Sequence, residues 1–284
     1  MPDMRVIRSI NQMQRLTRQI VGKGKTIGLV PTMGYLHEGH LSLIRRARKL
    51  ADVVVVTIFV NPAQFSPTED LRRYPHDERG DLRKIRKAGG DIVFIPTSRD
   101  MYPADFQSWV NVERLTTVLE GKVRPSHFRG VTTVVTKLYN ICRPDLVVFG
   151  MKDYQQAMVL RRMTIDLGYG VRFVIAPTMR EADGLAMSSR NAYLDVGGRA
   201  EAVCLYRALA TARAMVRAGI KRRSRLEKEI RAVIRATAPS SRVDYIAFTD
   251  FDTLRPVATI CRSTVCSLAV RVRNVRLIDN MKMA

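Results

Sequence analysis

From residue 26 to residue 175, strand-sized apolar runs alternate with segments of helical periodicity, and this alternation limits the possible folds more than any other feature of the chain. Ile7, Ile10, Met13, Leu16 and Ile20 recur every three to four residues, the stripe of an amphipathic helix that Gly22 and Gly24 end. Thr26–Pro31 reads as a short buried strand, and His40–Ala51 as a helix packing Leu41, Leu43, Ile44 and Leu50 inward. Val53–Val60 is a β-branched run suited to a central parallel strand. Asp77–Ala88 is predicted helical, Asp91–Ile95 and Asp145–Phe149 are predicted strands, and a helix over Asp153–Leu167 precedes a strand over Val171–Ile175. Strands and helices alternating at these lengths predict right-handed βαβ units and a parallel sheet covered on both faces. Ligands in such sheets bind beyond the carboxyl ends of the strands, so the residues following each strand are where chemistry is expected.

After Pro177 the pattern changes. Helices are predicted over Gly197–Ala218 and Ser224–Ala238, then strands at Val243–Thr249, Val265–Val272 and Val275–Ile278, which together read as a smaller α+β domain. A length of 284 residues accommodates this two-domain reading, 1–177 and 178–284. No apolar span approaches the roughly 20 residues of a membrane helix, and the first residues, MPDMRVIRSINQMQRL, have no continuous apolar core of the signal-peptide kind. Cys142, Cys204, Cys261 and Cys266 form no CxxC pair and are too few for a disulfide framework, so a reducing cytoplasm is the expected compartment. The formal charge of +22 by itself suggests nucleic acid or anionic ligands. It is spread along the chain, however, with 29 basic and 16 acidic side chains in residues 1–180 and 19 and 10 in the remainder. The one dense run, Lys221-Arg222-Arg223-Ser224-Arg225, reads more simply as a solvated helix boundary than as a nucleic-acid patch.

Three strand ends carry polar groups. Pro31–His40 (PTMGYLHEGH) follows the first strand and opens a helix. Gly34 allows a tight turn there, Gly39 a close backbone approach, and the helix N-terminus suits phosphate. His37 and His40, three residues apart, project from one side of the first turn and can donate hydrogen bonds to phosphate oxygens as charge develops. An HxxH pair also suits a metal, but no third His or Cys ligand lies near it in sequence. The second strand ends in Asn61-Pro62-Ala63-Gln64-Phe65, whose Asn61 and Gln64 suit a small substrate with hydroxyl or carboxylate groups. The strand at 145–149 runs into Gly150-Met151-Lys152-Asp153-Tyr154-Gln155-Gln156, where Lys152 is placed to reach a phosphate and Asp153 to cap the next helix. Met187-Ser188-Ser189-Arg190-Asn191 adds two hydroxyls and a guanidinium. These groups lack a nucleophilic triad, and they describe transfer at a nucleotide phosphorus, where catalysis is positioning and charge stabilisation.

The segments PTMGYLHEGH, IFVNPAQF, LEGKVRPSHFRGV, KDYQQ, READGLAMSSRNAYL and RLIDN occur in this order, and with them the chain resembles the pantothenate synthetase (pantoate–β-alanine ligase) family over nearly its whole length. The HxGH element alone marks only the wider nucleotidylyltransferase superfamily. The resemblance implies a Rossmann-like parallel-sheet domain, a smaller C-terminal α+β lid domain and a homodimer. It implies that pantoate attacks the α-phosphorus of ATP, with Mg²⁺ accompanying the nucleotide, and that β-alanine then attacks the pantoyl adenylate. Carried over by position, His40 is the catalytic histidine, His37 its partner on the phosphates and Lys152 the third catalytic group. Met33, Gly34, Tyr35, Leu36, His37, Glu38, Gly39 and His40 line ATP, as do Gly150, Met151, Lys152 and Asp153. Met179 falls near the adenine, and Met187, Ser188, Ser189 and Arg190 match a flexible loop over the phosphates. Gln64 and Gln156 match the glutamines that hold pantoate, Gln64 also lying near β-alanine. No nucleic acid and no membrane enters this reading.

The chain departs from the family pattern at a few positions. Met151 stands where Glu or Gln is usual, His76 where Arg is usual, and Arg273 and Val275 where Gly and Thr are common. Gly80 lies in a stretch that is often more acidic, leaving Asp81 as the nearest retained carboxylate, so no metal ligands are assigned. Replacing Gly by Arg at 273 raises the question of backbone conformation there.

Overall fold

The computed structural model describes residues 4–67 and 69–284. The chain divides into two compact units: the described residues through Met151 with Gln155–Pro177, and Lys152–Tyr154 with Thr178–Ala284. Strands β1 (Arg5–Ile7) and β2 (Ile27–Thr32) flank α1 (Ile10–Gly22), and α2 (Glu38–Arg48) leads to β3 (Val53–Ile58). Next come α3 (Glu78–Ala88), β4 (Ile92–Phe94) and the short α4 (Ser98–Met101) and α5 (Glu120–Val123). The first unit closes with α6 (His127–Cys142), β5 (Leu146–Gly150), α7 (Tyr154–Asp166) and β6 (Arg172–Ala176). Its six strands form one sheet in the order β1-β4-β3-β2-β5-β6, every pair parallel.

The alternation of side chains along the strands builds two cores. Leu29, Val55 and Val147 point to one face, against Met13 and Leu16 of α1, Val131 and Val135 of α6 and Leu160 and Met163 of α7. Their neighbours Val30, Val54, Val56 and Val148 point to the other, against Ile44 and Ala47 of α2 and Ile85 and Ala88 of α3. Both faces are therefore apolar, which explains why the strands read as continuous β-branched runs.

The second unit holds α8 (Val196–Ala202), α9 (Cys204–Arg217), α10 (Arg223–Thr237), β7 (Arg242–Asp250), β8 (Thr264–Val272) and β9 (Val275–Lys282). Its three strands form an antiparallel sheet, β7-β8-β9. Ala208, Leu209 and Ala212 of α9, Leu226, Ile230 and Ile234 of α10 and Cys266, Leu268 and Val270 of β8 share one core. The basic run 221–225 falls at the start of α10, where Arg223 pairs with Glu227.

The α/β architecture expected from the alternation is present, with differences at particular elements. Ile7 belongs to β1, paired with Phe94, because Ser9 caps α1 with its hydroxyl and stops the helix short of it. The helix expected over 197–218 is two, interrupted at Val203. The strand expected to end at Ile278 continues to Lys282 because Asp279 and Asn280, polar in sequence, are buried. The 16-residue α6 is not among the expected elements: 12 of its residues are buried, many of them Val or Thr, and only a narrow side at Arg129 and Asn140 is exposed.

Arg273 answers the question its sequence raises. Its φ is +51°, so the β8–β9 turn keeps a left-handed residue without glycine, a strain of about 1–2 kcal/mol. Its guanidinium bonds Asp195, the N-cap of α8, at 2.6 Å and Glu201 at 3.3 Å. It lies over Gly197, where a Cβ would come within 2.2 Å of it.

Leu160 is fully buried, whereas Arg162 on the same helix makes an exposed ion pair with Asp166. Leu160→Ala should cost about 2–5 kcal/mol in chemical denaturation, whereas Arg162→Ala should leave the denaturation midpoint close to wild type.

Candidate functional site

In the first unit, β2 is followed by β3 on one side while β5 is followed by β6 on the other, so the sheet's switch point lies between β2 and β5. A crevice opens beyond the carboxyl ends of strands at such a point. The residues leaving β2 and β5 are Met33 onward and Met151 onward, the two segments singled out by sequence.

The turn after β2 is tightly held. Thr32 Oγ1 donates to the Thr57 carbonyl at 2.6 Å and accepts from the Gly34 N–H at 3.2 Å. Gly34 and Tyr35 both take positive φ, +85° and +51°, turning the chain back on itself. Asp81 of α3 then accepts the N–H groups of Tyr35 and Leu36, each at 2.7 Å, one on each carboxyl oxygen. Lys84 donates to the Leu36 carbonyl at 2.8 Å. Asp81 is buried; burial raises its carboxyl above the ordinary value, against the pull of the two N–H groups and Lys84 toward ionisation.

The turn delivers His37 to the N-cap of α2. Its Nδ1 accepts from the Gly39 N–H at 3.1 Å, and the His37 N–H donates to His40 Nδ1 at 3.3 Å. With both Nδ1 atoms acting as acceptors, the neutral rings carry their hydrogens on Nε2, a tautomer assigned from these donors. The ring centroids are 4.1 Å apart. Glu38, in the first turn, pairs with Arg45 on the exposed side of α2.

Gln64 lies at the end of a 3₁₀ turn, Pro62–Gln64, capped by Asn61. Gln64 Nε2 donates to Met33 Sδ at 3.2 Å, joining the ends of β2 and β3. Asn61 is buried and fully engaged: Nδ2 donates to Gln64 Oε1 at 3.0 Å and to the Gly130 carbonyl at 3.1 Å, while Oδ1 accepts from Tyr102 at 2.8 Å. Gly130 is required there, since a Cβ would come 2.2 Å from the Ala63 carbonyl oxygen. Behind Gln64, its carbonyl faces His127 Nδ1 at 2.9 Å and Arg124 at 3.3 Å, and Arg124 forms a two-bond ion pair with Glu69 at 2.8 and 2.5 Å. Burial, then the Arg124 charge, pushes His127 down to about 4, so the ring is neutral.

The adjacent glutamines of KDYQQ divide their work. Gln155 is buried, accepting from the Glu120 N–H at 2.9 Å and donating to the Leu115 and Val118 carbonyls at 2.8 Å. Gln156 is half-buried and makes no side-chain hydrogen bond to another described residue. Gly150 ends β5, and Met151 opens a 3₁₀ turn through Asp153.

The remaining candidates lie in the second unit. Lys152 Nζ pairs with Asp153 at 3.1 Å, and the Lys152 carbonyl accepts from Asn280 at 2.9 Å. Residues 179–187 form a small hairpin, with Met187 N–H donating to the Met179 carbonyl at 3.0 Å and Arg180 bridged to Ala186. Arg180 forks onto buried Asp279 at 2.7 and 3.0 Å. Asp279 and Asn280 of the RLIDN segment thus anchor both Lys152 and the hairpin that leads to Ser188, Ser189 and Arg190. Ser188 Oγ accepts from the Arg190 N–H at 3.3 Å, and Ser189 is buried. Met179 is more than one-third exposed.

Within the first unit the structure therefore joins Met33 to Gln64 and His37 to His40. Sequence reasoning assigned no roles to Asp81, Arg124, His127, Gln155, Arg180 and Asp279. LEGKVRPSHFRGV, KDYQQ, READGLAMSSRNAYL and RLIDN contain all of them except Asp81, but a motif does not reveal which partner a side chain meets.

Two outcomes test this geometry. Asp81→Asn places an NH₂ against a backbone N–H and should destabilise the protein by about 1–3 kcal/mol in urea melts, with reduced activity. For His127, the folded value lies below the unfolded 6.5. Its contribution is complete above pH 6.5 and lost as pH falls toward 4, so His127→Asn should show a shallower loss of stability across that window.

Comparison with known proteins places this arrangement in context. Residues 5–282 match the family model described as Pantoate-beta-alanine ligase. The pantothenate synthetases of Geobacter sulfurreducens and Heliobacterium modesticaldum are 50% and 51% identical over 277 and 278 residues. These alignments cover 98% of this chain and 98% and 99% of those proteins. The crystal structure of pantothenate synthetase from Thermus thermophilus superposes with a TM-score of 0.94 at 42% identity, covering 99% of each chain. That of Francisella tularensis pantoate-beta-alanine ligase, complexed with beta-gamma ATP and beta-alanine, gives 0.83 at 33%, covering 99% of this chain and 98% of the other.

Proposed function

The chain belongs to the pantoate–β-alanine ligase family, and from that premise we propose that it condenses pantoate with β-alanine at the expense of ATP, through pantoyl adenylate, to give pantothenate, AMP and pyrophosphate. The observation that carries the assignment of the site is the pair His37–His40. Their Nδ1 atoms are occupied by backbone N–H groups at the mouth of α2, which fixes both Nε2–H groups as donors.

In the first step a pantoate carboxylate oxygen bonds to the α-phosphorus and the bond to the bridging oxygen breaks. The electron pair leaves with pyrophosphate. Negative charge grows on the bridging and β-phosphate oxygens, and His40 and His37 donate to them through Nε2–H. Preorganised donors of this kind stabilise the transition state more than the ground state. Lys152 and Arg190 supply cationic charge for the same phosphates, and the Ser188 and Ser189 hydroxyls further hydrogen bonds. The backbone of Met33–Gly39, with its helix N-terminus, receives the nucleotide; Gly150, Met151, Asp153 and Met179 complete the ATP set. Gln64 and Gln156 hold pantoate through its hydroxyl and carboxylate groups. In the second step the β-alanine amine attacks the acyl carbon, AMP departs, and the amine loses its proton.

Mg²⁺ enters this reading as part of the nucleotide substrate, carried by the ATP phosphates. Asp81 is not offered as its ligand, because both carboxyl oxygens are engaged by the Tyr35 and Leu36 N–H groups. A homodimer working in the cytoplasm is the remaining part of the proposal and rests on the resemblance. Among the described residues no helix is long and apolar enough to cross a membrane.

Purified protein should release AMP only when pantoate and β-alanine are both supplied for full turnover; no AMP under any divalent-metal condition would sink the proposal. His40→Ala should lower adenylate formation about 100–1,000-fold while the fold survives. Near wild-type activity in that variant overturns the role given to His40.

A further inference from the structure

The groups behind Gln64 form a closed set that the proposed reaction does not use. Arg124 is the C-cap of α5 and His127 begins α6, three residues apart, with the His127 N–H bonded to the Arg124 carbonyl at 3.0 Å. This tight turn aims both side chains at one acceptor, the Gln64 carbonyl. A carbonyl only accepts, so His127 Nδ1 carries the hydrogen, and Nε2 must accept from Arg124 Nη1, 3.2 Å away. The guanidinium is in turn fixed by both oxygens of Glu69. Burial opposes ionisation of Glu69, and the hydrogen bonds and charge of Arg124 outweigh it, holding the carboxyl below its usual value.

The same helix turn grips the other end of the segment. Gly130 packs on the Ala63 carbonyl and accepts from Asn61 through its own. The Gln64 N–H is bonded to the Asn61 carbonyl at 3.3 Å. Both sides of the Gln64 peptide are thus fixed, which leaves little freedom in where its side-chain amide points.

We propose that Glu69, Arg124 and His127 act together as positioning residues for Gln64, setting the affinity for the hydroxy-acid substrate rather than the chemistry on ATP. The inference rests on the assignment of Gln64 to pantoate. A misplacement of about 1 Å in such a group can cost about 100-fold.

Histidine variants separate this role from a merely structural one. His127→Asn keeps an N–H donor at the Nδ1 position, whereas His127→Gln moves it to the Nε2 position. Steady-state kinetics should give His127→Asn a pantoate KM within about threefold of wild type. His127→Gln and Arg124→Lys should raise it about 10- to 100-fold, with the KM for ATP unchanged and melting temperatures close to wild type. Should His127→Gln fail to fold, Arg124→Lys carries the test, because one ammonium cannot meet Glu69, His127 and Gln64 in the same geometry. Equal pantoate KM values for the two His127 variants, or a parallel rise in the KM for ATP, overturn the inference. Gln64→Ala tests the underlying assignment separately: an unchanged pantoate KM there refutes the role of Gln64. In that event crystal structures of His127→Gln and Arg124→Lys decide the positioning role. A displaced 61–65 turn supports it, and an unmoved turn overturns it.

Discussion

The pair of hydrogen bonds from the Tyr35 and Leu36 N–H groups to Asp81 is the contact on which the candidate site depends. The turn after β2 holds two successive left-handed residues, one of them a tyrosine, and would relax without a fixed partner. The carboxyl that holds it comes from α3, 45 residues along the chain, and α3 is itself seated by Ile85 and Ala88 in one core of the sheet. Packing against the sheet therefore determines where His37 caps α2, and the cap determines which ring nitrogen each histidine presents. Fold and chemistry are linked here through one buried carboxyl group.

A similar logic governs polar groups elsewhere. Asn61, Gln155 and Asp279 are buried; the first two are engaged by partners from several segments and Asp279 by the two-bond fork of Arg180. Unsatisfied, each would carry a desolvation cost of about 1–3 kcal/mol. Satisfied, each fixes a loop at a defined place. The second unit uses Asp279 to seat the hairpin ending at Met187, and Arg273 to tie the β8–β9 turn to the start of α8. Arg273 retains the left-handed backbone and adds an ion pair that glycine lacks.

Much of this was legible in the sequence. Strand–helix alternation revealed the parallel sheet because burial on both faces forces runs such as Val53–Ile58 to be apolar throughout. A similar condition obscured α6: its exposed side is narrow, around Arg129 and Asn140, and the valines and threonines of its wide buried side imitate a strand. β1, three residues long, is too short to show a period. Asp279 and Asn280 broke the pattern of β9 because their burial depends on Arg180 and Lys152, far away in sequence. The histidines and Gln64 were singled out because strand ends are where such sheets bind ligands. Asp81, Arg124 and His127 acquired meaning only from their partners, and partner identity is a tertiary fact.

Gln155 and Gln156 carry the same amide, yet one is consumed in holding the 115–120 segment and the other has no such tie. Their difference is a rotation of about 100° around the axis of α7. Because Ala157, Leu160 and Met163 of the same helix are buried, packing fixes that rotation, and with it which of the two amides meets the 115–120 segment. The phase of α7, rather than the chemistry of the side chain, therefore decides which glutamine is structural.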